Sequence, residues 1–306
     1  MKRLLIISLL FFVNIVNADD RAVRISTKIM KTENRVALVI GNNNYQGVLS
    51  KLRNPINDAS AIRDILKSKN FKVIYKTNSG KRDMREALKE FYREIKKGGV
   101  GFFYFSGHGI EMDGQNYLIP IDAKIDEKSD AEYEAISLNK VTKRIQNAKN
   151  RLNIVVLDAC RNDPFSRSVG TGGLAKSEPI GLFVSYSTGA GSVASDGKDG
   201  ENGLFTKSLI KYMQQPLDLQ DVFQKTREDV YDSSNQRQFP AIYNQTIRGK
   251  FYFTLPTESS ITQINSTKKS RSKHIVKEDT QPKNDSSLTF GEEMDDDFEN
   301  FMNDMK

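Results

Sequence analysis

The sequence predicts an α/β domain in which a mostly parallel six-stranded sheet is covered on both faces by helices. Three observations carry this expectation. Short apolar runs without polar alternation, among them Arg35-Val-Ala-Leu-Val-Ile-Gly41, Gly101-Phe-Phe-Tyr-Phe105 and Leu152-Asn-Ile-Val-Val-Leu157, suit strands buried on both faces. Segments with apolar residues at helical spacing lie between them, as strand-helix-strand units require. Two of the runs end in residues with chemistry to offer, His108 and Cys160, and in parallel sheets ligands gather beyond the carboxyl ends of the strands.

Residues 1–18 carry Lys2 and Arg3, an apolar stretch from Leu4 to Val16, and Val16-Asn17-Ala18 before Asp19-Asp20. A basic start, a short apolar core and small residues at the break read as a secretory signal peptide cleaved after Ala18. The apolar core is short for a membrane span, and no later stretch is longer. The expected mature protein is soluble and exported, periplasmic or extracellular, without a membrane span. Residues 19–34 form a polar leader.

The domain is expected over residues 35–255. Strand Arg35–Gly41 runs into a turn-rich stretch, Asn42-Asn-Asn-Tyr-Gln-Gly47, and Asn57-Asp58-Ala-Ser heads a helix with Ile62, Ile65 and Leu66 on one face. Strand Phe71–Tyr75 follows. Met84, Leu88, Phe91, Tyr92 and Ile95 mark a helix from Lys81 to Lys97. Strand Gly101–Gly109 comes third, then a hairpin-like piece, Gln115–Pro120, an acidic loop from Asp126 to Glu134, and a helix from Leu138 to about Ala148. The fourth strand, Leu152–Cys160, gives way to a Gly- and Ser-rich loop, Arg161–Pro179. Strand Ile180–Tyr186, helices Phe205–Met213 and Leu219–Tyr231, and a sixth strand, Lys250–Leu255, complete the domain.

Residues 256–306 form a tail too poor in apolar side chains to fold alone, read as disordered with an acidic end. Phe290, Met294, Phe298, Phe301 and Met305 nevertheless share a helical stripe. A solvated tail is the reading, and a docking helix the alternative. His274 falls in this tail, which leaves His108 as the imidazole available to the fold.

The formal charge of +7 drops by two with Lys2 and Arg3 of the signal peptide, and the remaining basic residues are interspersed with acids. That is a solvated surface rather than a nucleic-acid reader. One cysteine forbids an intramolecular disulfide, so the fold rests on its apolar core. A lone thiol is ordinarily a small buried hydrophobe. Cys160 at the end of one buried strand and His108 at the end of another instead suggest a nucleophile beside its base.

Phe105-Ser106-Gly107-His108-Gly109 and Asp158-Ala159-Cys160-Arg161-Asn162 resemble the motifs of caspase-fold cysteine peptidases, peptidase family C14 of clan CD, and bacterial metacaspase-like members more than animal caspases. Asn57-Asp58, Ser185-Tyr-Ser-Thr-Gly-Ala-Gly-Ser192, Asn202-Gly-Leu-Phe-Thr206 and Gln238-Phe-Pro240 support the resemblance. It implies a caspase-like three-layer sandwich, with a large-subunit-like part over 35–160, a connecting loop over 161–179 and a small-subunit-like part over 180–255. It further implies a cysteine endopeptidase with a His108–Cys160 dyad, oxyanion donors at the Gly109 and Cys160 amides, and an S1 pocket lined by Asp58, Ser106 and Asp158.

The sequence departs from the animal pattern Gln-Ala-Cys-[RQG]-Gly at Asp158 and Asn162. Carboxylates in the pocket would repel an acidic P1 residue and pair with Arg or Lys. A helix cap is the structural alternative for Asp58. Arg161, Arg167 and Lys176 make self-processing in the loop an expectation. The substrate is expected to be a polypeptide. No cofactor or metal is expected: calcium activates some metacaspases, yet Asp122 and Asp126 read as solvated rather than as ligands. The alternative functions are a catalytically weak caspase-like scaffold that binds peptides or partner proteins, and an amide hydrolase or transferase acting on a non-protein substrate.

Overall fold

The structure, a computed structural model, describes residues 32–46, 49–112, 114–148, 150–160, 181–188, 200–246 and 250–256, with the backbone alone at Lys128 and Cys160. The expected signal peptide, nearly all of the leader, the 161–179 loop and the tail from residue 257 lie outside the described residues.

Among the described residues, eight strands form in chain order: β1 (Arg35–Gly41), β2 (Lys72–Thr77), β3 (Val100–Met112), β4 (Gln115–Leu118), β5 (Ile136–Ser137), β6 (Leu152–Cys160), β7 (Phe183–Tyr186) and β8 (Ala241–Asn244). The helices are α1 (Pro55–Ser68), α2 (Lys81–Ile95), α3 (Ala131–Glu134), α4 (Leu138–Gln146), α5 (Leu204–Met213) and α6 (Leu219–Ser233). The main sheet runs β2-β1-β3-β6-β7-β8 and is parallel except for β8, which is antiparallel to β7. β4 pairs antiparallel with the extension of β3, and β5 with β4.

The pleat divides the core into two layers. Ala37, Val39, Phe102, Tyr104, Ile154, Val156 and Phe183 face α1, α5 and α6, meeting Ile62, Leu66, Leu209, Val222 and Phe223. Leu38, Ile40, Phe103, Phe105, Val155 and Leu157 face α2 and α4, meeting Met84, Leu88, Phe91, Val141 and Ile145. This is the expected α/β three-layer sandwich on a mostly parallel six-stranded sheet. Each strand of the main sheet contributes apolar residues to both layers, so alternation of apolar and polar residues has no place in it.

One strand differs from expectation. The sheet closes on Ala241–Asn244 rather than on Lys250–Leu255. Phe251, Tyr252 and Phe253 are all buried, with Phe251 and Phe253 edge-on to each other and to Phe71 and Phe102 respectively; Tyr252 makes a single bridge to Asp218. An aromatic run therefore looks like a strand while it plugs the helical layer. Ala-Ile-Tyr-Asn is too short to announce the real one.

Helix boundaries follow local chemistry. α1 begins at Pro55, where a missing N–H costs nothing, so Asp58 lies within the first turn rather than at the cap. α2 ends before the expected Lys97 because Gly98 and Gly99 take left-handed conformations, φ +88° and +92°. The acidic loop contains α3 and is followed at once by β5, and it covers a third small core of Tyr45, Leu49, Ile110, Tyr117, Ile119 and Ile125 beside the carboxyl edge of the sheet.

Candidate active site

The sheet register aligns the strand ends. Gly41 pairs with Ser106, Ser106 with Asp158, and His108 with Cys160. Neighbouring strands lie about 4.8 Å apart, so the backbones of His108 and Cys160 are adjacent at the carboxyl edge.

His108 is held from several directions. Its N–H donates to the Tyr45 hydroxyl at 2.8 Å, and that hydroxyl donates to the Ile119 carbonyl at 3.1 Å. Its carbonyl accepts the Ile119 N–H at 3.0 Å. The Tyr45 and His108 rings lie 4.5 Å apart between centroids, tilted by 58°. Nε2 sits 2.8 Å from the Ser50 carbonyl oxygen. A carbonyl can only accept, so Nε2 carries the ring proton and Nδ1 is the basic nitrogen.

The turn-rich stretch after β1 is thus a scaffold. Asn42 is fully buried; its amide donates to the carbonyls of Ser79 and Ile119, and its oxygen accepts the Ser79 N–H. Asn78, left-handed at φ +45°, accepts the N–H groups of Asn43 and Asn44. Gly107 makes room: a Cβ there would strike the Tyr45 hydroxyl and approach the Asn42 carbonyl.

The Gly109 amide faces away from β4. Gly109 is registered opposite Leu118, and the flanking bond runs from Ile119 N–H to the His108 carbonyl. The His108 carbonyl is therefore turned toward the β4 side, and Gly109, one residue on, turns its backbone groups to the side where β6 ends.

The carboxylates gather around a buried phenol. Asp158 Oδ2 accepts from the Thr206 hydroxyl at 2.8 Å and lies 3.3 Å from the Tyr104 hydroxyl, while the two hydroxyls are 2.8 Å apart. Burial, then the charges of Asp158 and Asp58, push the Tyr104 phenol well above its ordinary pKa, against hydrogen bonds with Thr206 and Ser106. Asp58 is buried; its Oδ1 accepts the Gly203 N–H at 2.8 Å and the Asn202 side-chain amide N–H at 3.2 Å. Gly203 precedes α5, which has no side-chain cap of its own, so Asp58 caps α5 from another helix. Asp58, Ser106 and Asp158 thus converge about one point, with Asp158 the more exposed carboxylate.

Tyr45, Ser50, Tyr104 and Thr206 were not singled out from the sequence. Tyr104, Ser106 and His108 stand two residues apart on one strand, which was a usable signal for Tyr104. Asp122 caps α2 by accepting the Lys81 N–H at 2.8 Å, and Asp126 is exposed. Among the described residues, no group of three or more His, Cys, Asp or Glu comes together to hold a metal, and no helix is long and apolar enough to cross a membrane.

The rat (Rattus norvegicus) Caspase-1 is 24% identical over 251 residues, covering 73% of this chain and 61% of that protein. The human (Homo sapiens) Mucosa-associated lymphoid tissue lymphoma translocation protein 1 is 33% identical over 129 residues, 42% of this chain and 15% of that protein. A mouse (Mus musculus) homolog of the latter is 31% identical over 129 residues. The chain spans less than two thirds of the length of these curated relatives. The caspase domain model of peptidase family C14 matches residues 34–252, and the chain belongs to that family.

Proposed function

We propose that this protein is an exported cysteine endopeptidase in which His108 and Cys160 form the catalytic dyad, with cleavage after Arg or Lys. The observation that carries the reading is His108: registered against Cys160, with Nε2 committed to the Ser50 carbonyl, it offers Nδ1 as a base. Nδ1 takes the thiol proton, and the thiolate adds to the scissile carbonyl. The resulting oxyanion is met by the Gly109 and Cys160 amides. The C–N bond breaks as the imidazolium returns its proton to the leaving amine, leaving a thioester on Cys160. Water, deprotonated by the imidazole, then adds; the C–S bond breaks, the carboxylate leaves and the thiol is restored.

Asp158, supported by Asp58 and Ser106, would meet the P1 cation, and a planar guanidinium could take a carboxylate bidentately. Export rests on residues 1–18, and the amino-terminal sequence of the secreted form, starting at Asp19, checks it. The test of function is turnover of matched fluorogenic peptides ending in Arg, Lys or Asp, with and without calcium, beside Cys160→Ala and His108→Ala. Turnover of basic peptides alone, lost in both variants, is expected. A folded protein that turns over none of the peptides overturns the peptidase reading in favour of a binding scaffold.

A further inference from the structure

We propose that the Thr206 and Tyr104 hydroxyls form a relay that positions Asp158 and so sets the affinity of the S1 pocket for a P1 cation; this rests on the basic-P1 reading above. Neither residue touches the peptide in this scheme, and both are positioning residues. Proton accounting fixes the direction of the relay. Thr206 has a single hydroxyl hydrogen, given to Asp158 Oδ2 at 2.8 Å, and its oxygen receives the Tyr104 hydrogen over the equally short 2.8 Å contact. The longer 3.3 Å approach of Tyr104 to Asp158 is the minor branch.

The donors are neutral, so they orient the carboxylate without cancelling the charge that a cation would read. They are also immobile: Thr206 and Tyr104 are both wholly buried, the one in the first turn of α5 and the other in β3. The high phenol pKa keeps Tyr104 a donor across the working range.

The relay crosses between the two halves of the domain. Tyr104 and Asp158 belong to residues 35–160 and Thr206 to residues 180–255, and the Asp58 bond to Gly203 N–H ties the start of the same helix, α5. Seating α5 therefore completes the pocket: one carboxylate is spent on docking the helix, and the other is fixed by it. Specificity is set from a helix that need not contact the substrate.

The experiment compares Thr206→Val, which keeps shape and removes the hydroxyl, with Thr206→Ser, which restores it, and with Tyr104→Phe, using Arg-P1 peptides and benzamidine as a guanidinium-like competitor. Thr206→Val is expected to raise KM and the benzamidine inhibition constant about tenfold or more, with kcat within about twofold. Tyr104→Phe should raise both less, and Thr206→Ser should match the wild type. Thermal melting and circular dichroism confirm folding; where Thr206→Val does not fold, Tyr104→Phe decides. Unchanged KM and benzamidine affinity in the deciding folded variant overturn the relay while the wild type still cleaves Arg peptides. A wild type that cleaves no basic peptide instead overturns the P1 reading on which the relay depends.

Discussion

Tyr45→Phe removes one oxygen from beside the candidate base, and its cost can be worked from the contacts. Tyr45 is 2% exposed, so water does not reach the groups left behind. The hydroxyl serves two partners, the His108 N–H and the Ile119 carbonyl. The Ile119 carbonyl also accepts the Asn42 amide at 3.4 Å and keeps that partner. The loss therefore falls on a buried backbone N–H, at about 1–3 kcal/mol. For a domain of this size each kcal/mol lowers Tm by about 2–4 °C, so a fall of roughly 2–12 °C is expected. The aromatic ring stays against the imidazole, but β3 is released at His108, and kcat should fall about tenfold with little change in KM. Thermal unfolding gives the first quantity and peptide kinetics the second. The rate of Cys160 alkylation by iodoacetamide against pH reads the base without any substrate. A Tm within about 1 °C of wild type together with an unchanged alkylation profile would refute the claim that this hydroxyl holds His108.

Three further outcomes follow from other contacts. Gly107→Ala forces a methyl against the Tyr45 hydroxyl and the Asn42 carbonyl, with an expected cost of about 1–3 kcal/mol in denaturant unfolding and a loss of turnover; wild-type stability would show that the approach relaxes freely. Asp58→Asn keeps an acceptor for Gly203 but loses the charge at the start of α5, costing about 0.5–1 kcal/mol of stability and raising the KM for Arg peptides less than Asp158→Asn does; equal KM effects would assign Asp58 to direct cation contact. Glu94, hydrogen-bonded by Lys97 and Lys72, has its pKa lowered to about 2 against about 4.3 in an unfolded chain. A depressed carboxyl contributes stability above the unfolded value and loses it as pH falls through the folded one. Melting curves between pH 5 and 2 should therefore be flatter for Glu94→Gln than for the wild type, and parallel curves would count against the pairing.

Much of the fold was legible because doubly buried strands carry their signature in composition alone. Leu152–Cys160 is legible to the residue, whereas β3 runs past the expected Gly109 to Met112, so that His108 marks the end of the parallel pairing with β6 and not the end of its strand. The misplaced last strand shows where composition fails: Phe251 and Phe253 are as apolar as any strand residue, yet they pack edge-on with Phe71 and Phe102 in the helical layer. A run of aromatics reports burial and does not say whether the backbone pairs with a sheet or a side-chain core absorbs it.

The support of the site divides along the same line. Side chains that alternate on a strand announce themselves, and Tyr104, Ser106 and His108 on β3 follow from the two-residue period once one of them is suspected. The Ser50 carbonyl that fixes the His108 tautomer has no such mark, because every residue carries the same backbone acceptor and only tertiary structure selects one. The same holds for Asp58: its place near a helix start suggested a local cap, and the helix it caps is α5, whose first turn lies more than a hundred residues further along the chain. A residue's chemistry is set by its type, but its assignment to docking or to recognition depends on what the fold brings against it. Asp58 and Asp158 are the same side chain on the same site. The one buried against Gly203 N–H holds a helix in place, whereas the one aligned by two neutral hydroxyls at the sheet edge is the one with charge to present.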